Sequence, residues 1–263
     1  MKPYMTVFGA QFRVLLQYRA RAWAGFGTQL FWGLIRMAIF TAFYESSTHV
    51  QPLSLPDVIT YLWLVQALFA LTYWSASPEV ADKIRNGSIA YELIRPIDLY
   101  WYWFARAIAC RLAPATLRSI PLFIAAGLFF GLKPPATFAS SLLFLGGVAS
   151  GVAIIAALVC LLNIALLYTL ASEGVMRLSI PLTLLFSGMM IPLPLFPLWF
   201  QPVVYFLPFR HILDTPIRLY TGNISPTESV WVFLHALIWC VCLTLWGRRL
   251  LKRAVSQLVA QGG

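Results

Sequence analysis

Residues 138–170 read FASSLLFLGGVASGVAIIAALVCLLNIALLYTL, with no charged side chain among them. A helix needs about 20 mostly apolar residues, each rising about 1.5 Å, to cross about 30 Å of hydrocarbon. Lipid offers no hydrogen bonds, so a chain inside it must satisfy its own backbone, and a helix does this within one segment. This run therefore reads as a transmembrane helix. Five further segments fit less cleanly: 23–44, 58–76, 105–132, 178–191 and 230–247. The third carries Arg106, Arg111 and Arg118 in its first turns, and the fifth in chain order, 178–191, is short for a full crossing. The expected fold class is all-α membrane with six transmembrane helices.

The rest of the composition agrees. The chain has 263 residues, 60% hydrophobic and 11% charged, against about 45–50% and about 25% in a soluble domain. The length suits one transmembrane domain, 1–263, without a second folded unit. The net charge of +10 would suggest nucleic acid in a soluble protein. Here the basic residues flank apolar runs and read as topological, so no nucleic-acid partner is expected. Cys110, Cys160, Cys240 and Cys242 lie in or beside apolar segments without metal-ligand spacing. They read as small buried apolar residues, with no disulfide framework. No cleavable signal peptide is evident.

Lysine and arginine set the orientation. One side of the expected bundle holds Lys2, Arg13, Arg19 and Arg21, then Lys83, Arg85, Arg95, Arg106, Arg111 and Arg118, then Arg177, then Arg248, Arg249, Lys252 and Arg253. The other side holds Lys133, Arg210 and Arg218. Both termini, including the tail 248–263, are expected in the cytoplasm. Residues 1–22 place Phe8, Phe12, Leu15 and Leu16 at helical spacing away from Arg13, Gln17 and Arg21. This predicts an amphipathic helix lying in the lipid interface; a plain charged extension is the alternative.

The loop 77–98 is the most polar stretch. Ser77 suits a cap, Pro78 a first helical position, and Glu79 a first turn. Asn86 and Gly87 end that helix, and Gly87 suits the left-handed position beyond it. A second short element over 89–94 stops at Pro96. Tyr100, Trp101, Tyr102 and Trp103 form an aromatic belt where the next span enters.

The segment 191–222 contains six prolines yet stays apolar. It reads as a re-entrant or interfacial outer hairpin with arms near 197–206 and 210–220; a kinked seventh span is the alternative. Arg36 is the one charge deep inside a span. It faces a cavity, pairs with a neighbouring helix or snorkels to the interface. Gly146, Gly147 and Gly151 give residues 138–170 a small-residue face that permits close helix approach.

No P-loop, HExxH or paired-cysteine motif occurs, so no catalytic, cofactor or metal site is expected. His49, His211 and His235 are far apart in sequence, the first two in expected outer loops. None of the nine acids lies mid-span, which counts against a proton- or sodium-coupled carrier. Arg210, His211 and Asp214 form the one outer cluster available to an integral membrane enzyme; they read as structural, a helix start or hairpin clamp.

Residues 83–98, KIRNGSIAYELIRPID, followed by the aromatic entry and Arg106, resemble the permease subunits of ABC transporters, in the ABC-2 type export family. The layout resembles that family over nearly the whole chain. The resemblance implies a multi-pass protein of the bacterial cytoplasmic membrane that carries no catalytic residue. A separate ABC ATPase subunit would hold ATP and Mg. The helix 79–87 would dock in that ATPase as a coupling helix, with Glu79, Asp82, Lys83, Arg85, Gly87 and Glu92 as the coupling residues. The turn 171–177, with Glu173 and Arg177, would be a second contact. Two permease copies, identical or paralogous, would enclose a path lined by the second and fifth spans. A secondary transporter, a membrane enzyme and a scaffold are the competing readings.

Overall fold

The computed structural model describes residues 2–47, 51–72, 74–169 and 173–257; His49 and the last six residues of the expected tail lie outside them. About 80% of the chain is helical, and no strand occurs among the described residues. In order come α1 (Lys2–Leu16), α2 (Arg19–Ser46), α3 (Leu55–Leu68), α4 (Pro78–Arg85), α5 (Ala90–Leu93), α6 (Leu99–Phe129) and α7 (Phe138–Thr169). Then follow α8 (Glu173–Phe186), α9 (Gln201–Phe206), α10 (Asp214–Tyr220) and α11 (Pro226–Gln257).

Among the described residues, four helices are long and apolar enough to cross a membrane: α2, α6, α7 and α11. The uncharged helix α7 shows no apolar side distinct from a polar one, the pattern of a helix buried all round. The rest of the chain buries 72% of its most apolar window, against 11% for α2, 22% for α6 and 17% for α11. Thus α7 is the hub, with α11, α6 and α10 packed along it. The two other expected spans are shorter. The second continues past α3 as a 3-10 turn, Phe69–Leu71. The fifth, α8, has 14 residues, about 21 Å of helix, and contains Pro181. The third starts earlier than expected. Asp98 caps α6 by accepting from the Trp101 amide, so the aromatic belt lies inside the helix. The sixth runs well beyond 230–247 at both ends.

The expected N-terminal helix stops at Leu16, and its last four residues, 19–22, belong to α2. Packed along α6, α1 buries none of its own residues fully.

Ion pairs and loop contacts gather the helix ends into two sets. At one end Lys133 pairs with Asp57 at 2.8 Å, the Ala136 amide donates to the Tyr220 carbonyl at 3.0 Å, and the Tyr220 hydroxyl donates to the Lys133 carbonyl at 2.9 Å. At the other, Arg248 pairs with Asp98 at 3.0 Å, and the Tyr168 hydroxyl donates to the Leu250 carbonyl at 2.9 Å. Lys83, Arg248, Arg249 and Lys252 lie at this second end.

Residues 187–222 break where the prolines demand. A short 3-10 turn at Leu193–Leu195 precedes α9, and a second at Pro208–His211 separates α9 from α10; the two helices fall on the two expected arms. This segment seats on the small-residue face of α7. A Cβ at Gly151 would collide with the His211 carbonyl oxygen and lie 3.3 Å from Ile212 Cα, and one at Gly147 would lie 3.0 Å from Pro216 Cα. Gly188 turns the chain out of α8 at φ 82°, and a side chain there would meet the Tyr61 hydroxyl. Because the neighbour at Gly151 is backbone, it cannot swing aside. Gly151→Ala is expected to cost about 1–3 kcal/mol through overpacking. Gly27→Ala, with nothing within 4 Å of the new methyl, is expected to be neutral or stabilising by up to about 1 kcal/mol. Thermal unfolding in detergent checks both; equal melting temperatures for the two variants would contradict the packing described.

Candidate functional site

The polar loop folds at the basic end as α4, a turn, and α5. Pro78 occupies the first position of α4, Glu79 its first turn, and Lys83 and Arg85 its last, which suits the helix dipole. Asn86 caps the end and Gly87 follows at φ 74°, as expected. The expected Ser77 side-chain cap is not made. The Ser77 backbone N–H donates to Asn163 Oδ1 of α7 at 2.8 Å, which ties the start of α4 to α7.

Two forces press this element onto the bundle. Val80 and Ile89 are buried in an apolar cluster with Leu99, Tyr100, Trp103 and Ile164. Around them runs a chain of charges. Arg106 of α6 grips both carboxylate oxygens of Glu79, one of them at 2.9 Å. Lys83 reaches Glu79 at 2.5 Å and Glu92 at 2.6 Å, and Glu92 is only 4% exposed. A paired fork of this kind adds direction as well as energy. The Arg106 guanidinium pulls the Glu79 carboxyl down, burial resists, and Lys83 adds to the pull, leaving it at about 2 rather than 4.5. Burial disfavours the Lys83 ammonium, and Glu79 and Glu92 outweigh that, so its pKa is raised.

The strip that leads into α4 is tied as well. Trp74 Nε1 donates to Thr183 Oγ1 of α8 at 2.5 Å, and Ser179 of α8 donates to the Trp74 carbonyl at 3.2 Å. The element is thus fastened to α6, α7 and α8 at once.

The six residues singled out in this loop split into two sets. Glu79, Lys83 and Glu92 are tied to one another and to Arg106, with Glu92 buried. Asp82 and Arg85, 72% and 64% exposed and paired with each other at 3.7 Å, face solvent with Tyr91, 70% exposed, and Ile94, 79% exposed, and Gly87 lies exposed in the turn. Tyr91 and Ile94 were not singled out, although large apolar groups in a polar loop were a signal for them. Of the second expected contact, Glu173 opens α8 and Arg177 is exposed on it, while 170–172 lie outside the described residues. Among the described residues, no cluster of three His, Cys, Asp or Glu could hold a metal ion.

The outer cluster is turned inward. Asp214 and His211 are fully buried. Asp214 accepts from the Tyr61 hydroxyl at 3.1 Å and forms an ion pair with Arg218 at 3.7 Å. His211 Nε2 meets His235 Nδ1 at 2.8 Å, and Arg210 donates to the Tyr205 carbonyl at 3.2 Å. These contacts clamp residues 187–222 to α3 and α11. Arg36 faces a cavity of about 900 Å³ between α2, α3 and the turn after α8, and donates to the Met189 carbonyl.

An all-helical chain with four helices able to span a bilayer, and a charged helix fastened across one end of them, is a multi-pass membrane protein. Residues 30–262 match the family model described as ABC-2 family transporter protein. The chain belongs to that family and is a membrane component of an ABC-type transporter. No curated protein and no solved structure matches it.

The ion-pair chain has a testable signature. A carboxyl whose folded pKa is depressed contributes stability above its unfolded value and loses it as pH falls through the folded one. The Glu79 contribution is therefore fully present above pH 4.5 and lost towards about pH 2. Arg106→Gln is expected to raise the hydrogen-exchange rate of residues 78–94 by up to about fivefold at neutral pH, a screened pair being worth about 1 kcal/mol or less. It is also expected to move the acid loss of protection upward towards pH 4.5. Unchanged protection in the variant would contradict the anchoring role.

Proposed function

We propose that the chain is the permease subunit of an ATP-driven ABC exporter, which works with a separate ATPase and a second permease copy. In this reading the basic end faces the cytoplasm, as the lysine and arginine asymmetry requires. Both termini are cytoplasmic, α3 and α8 complete a set of six spans, and residues 187–222 form a re-entrant outer hairpin. ATP and Mg belong to the ATPase, and this chain supplies the path through the bilayer of a bacterial inner membrane.

The observation that carries the reading is the two-faced α4–α5 element. One face is fastened to three membrane helices through Glu79–Arg106, Ser77–Asn163 and Trp74–Thr183. The other face presents Asp82, Arg85, Tyr91 and Ile94 to solvent. A helix that exists only to join two spans needs neither feature. A helix that receives a push from a partner needs both: an exposed contact face, and a stiff link onward. Closure of the ATPase around ATP would displace α4–α5, and the ties would carry α6, α7 and α8 with it as a rigid-body shift. In this mechanism Asp82, Arg85 and Gly87 are contact residues, whereas Glu79, Lys83 and Glu92 transmit. Glu173 and Arg177 at the start of α8 form the second contact.

Co-purification of the full-length chain with the ATPase encoded beside it tests the assignment. Arg85→Glu with Ile94→Asp is expected to weaken retention by about tenfold or more, as the loss of a central contact does. Lys252→Glu, at the same end but outside the element, is expected to leave retention unchanged. If the wild type retains no ATPase, or if Lys252→Glu weakens retention as much, the assignment fails.

A further inference from the structure

The cavity beside α2 has the size of a small-molecule site, about 900 Å³ within a usual range of about 300–1,000 Å³. Its walls are largely apolar, with Trp32, Ile39, Phe40 and Phe69 among them. Two polar groups interrupt them. Gln29 is 2% exposed, yet neither its amide nitrogen nor its amide oxygen has a partner. A buried primary amide offers two donors and two lone pairs, and leaving all of them empty is costly. Arg36 follows seven residues later, two turns along the same face and about 10 Å away. It donates to the Met189 carbonyl and lies 3.9 Å from Met190 Sδ. Among the described residues no carboxylate pairs with it. A guanidinium within a span ordinarily has an anionic or water-filled counterpart.

A second copy of this chain cannot supply that counterpart. Asp214, the one acid buried in the bundle away from the basic end, is fully buried and held by Tyr61 and Arg218. The acids at the helix ends, such as Glu45, Asp57 and Asp98, would stand at the same ends in a parallel copy. A neutral apolar ligand would fill the walls and leave both Arg36 and Gln29 unsatisfied.

We propose that this cavity binds a single-chain anionic amphiphile. Its carboxylate, phosphate or sulfate head meets the free N–H groups of Arg36. Its apolar body lies along Trp32, Ile39 and Phe40. A hydroxyl or amide about 10 Å from the head, as the two-turn spacing dictates, meets Gln29. This rests on the export reading for the ligand's status as cargo, whereas binding itself is a property of the chain without its ATPase. Failure of one is therefore distinguishable from failure of the other.

The test uses the full-length chain in dodecyl maltoside at about pH 8, where a carboxyl head is ionised. The probes are palmitate and the corresponding primary alcohol, each with a mid-chain diazirine. Palmitate is expected to label peptides covering residues 28–43 and 189–195 about tenfold more than the alcohol, the gain of one charge-assisted contact. That comparison needs no variant, so it stands even if Arg36→Gln fails to fold. Arg36→Lys is expected to keep the preference for the acid, and Arg36→Gln to lose it. A mid-chain hydroxylated palmitate is expected to compete better than palmitate, with the difference abolished in Gln29→Leu. Equal labelling by acid and alcohol, or labelling elsewhere, overturns the proposal. Competition by phosphatidylglycerol but not by palmitate overturns the single-chain assignment and gives the site to a bilayer lipid.

Discussion

A polar group buried where no water can follow must find its partner inside the chain, and most of this structure follows from that requirement. The helix α7 meets it by carrying no charge, by pairing its buried Asn163 with the Ser77 amide, and by presenting glycine where the broken segment 187–222 needs room. The contact of Gly151 with the backbone of His211 and Ile212 lets a proline-rich stretch bury itself against a helix. Its freed polar groups are then collected one by one. The Asp214 amide donates to the Ser187 carbonyl at 3.0 Å, Asp214 takes the Tyr61 hydroxyl, and His211 takes His235. What looked in sequence like an outer polar cluster is the fastening of that segment.

The same requirement sorts the charges at the basic end. Several close to the bundle are paired: Arg106 with Glu79, Lys83 with Glu79 and Glu92, Arg248 with Asp98. Those without a bundle beside them stay solvated. An ion pair near a surface contributes little to stability by itself. Its value here is geometric, since a guanidinium gripping both oxygens of a carboxylate fixes direction as well as distance. In the proposed mechanism this makes α4 a lever joined stiffly to α6, with Asn163 and Thr183 joining it to α7 and α8. Buried groups left without a partner, among them Gln29 and the Nε of Arg111, depart from this economy, and Gln29 shares one cavity with Arg36.

Much of the architecture was legible because hydropathy and helix punctuation are local. The run at 138–170, the Pro78 start, the Gly87 stop and the two arms around Pro208 all fall where side-chain chemistry alone puts them. The sequence was less clear where length and depth compete. The stretch at 58–76 is apolar enough for a span, yet its helix tightens into a 3-10 turn at Phe69–Leu71, and that choice depends on packing against α6. The tie from the Ser77 amide to Asn163 was hidden for a similar reason: Asn163 is distant in sequence and adjacent in space. At the site, charge marked the right loop but not which face each residue takes. Glu79 and Asp82 differ by less than a turn, and only the position of Arg106 separates an anchor from a contact.

The central claim is that α4–α5 and α6 move as one body. Electron-spin distance measurement between labels at Arg95 and Ile120 of one subunit, in the complex with its ATPase, reads this directly. The account predicts that the distance within a subunit stays within about 2 Å when ATP is trapped, the scale of packed-helix adjustment, while the distance between the two Arg95 positions changes by more. A shift within the subunit as large as that between subunits would mean that α4–α5 slides over α6, and would contradict it.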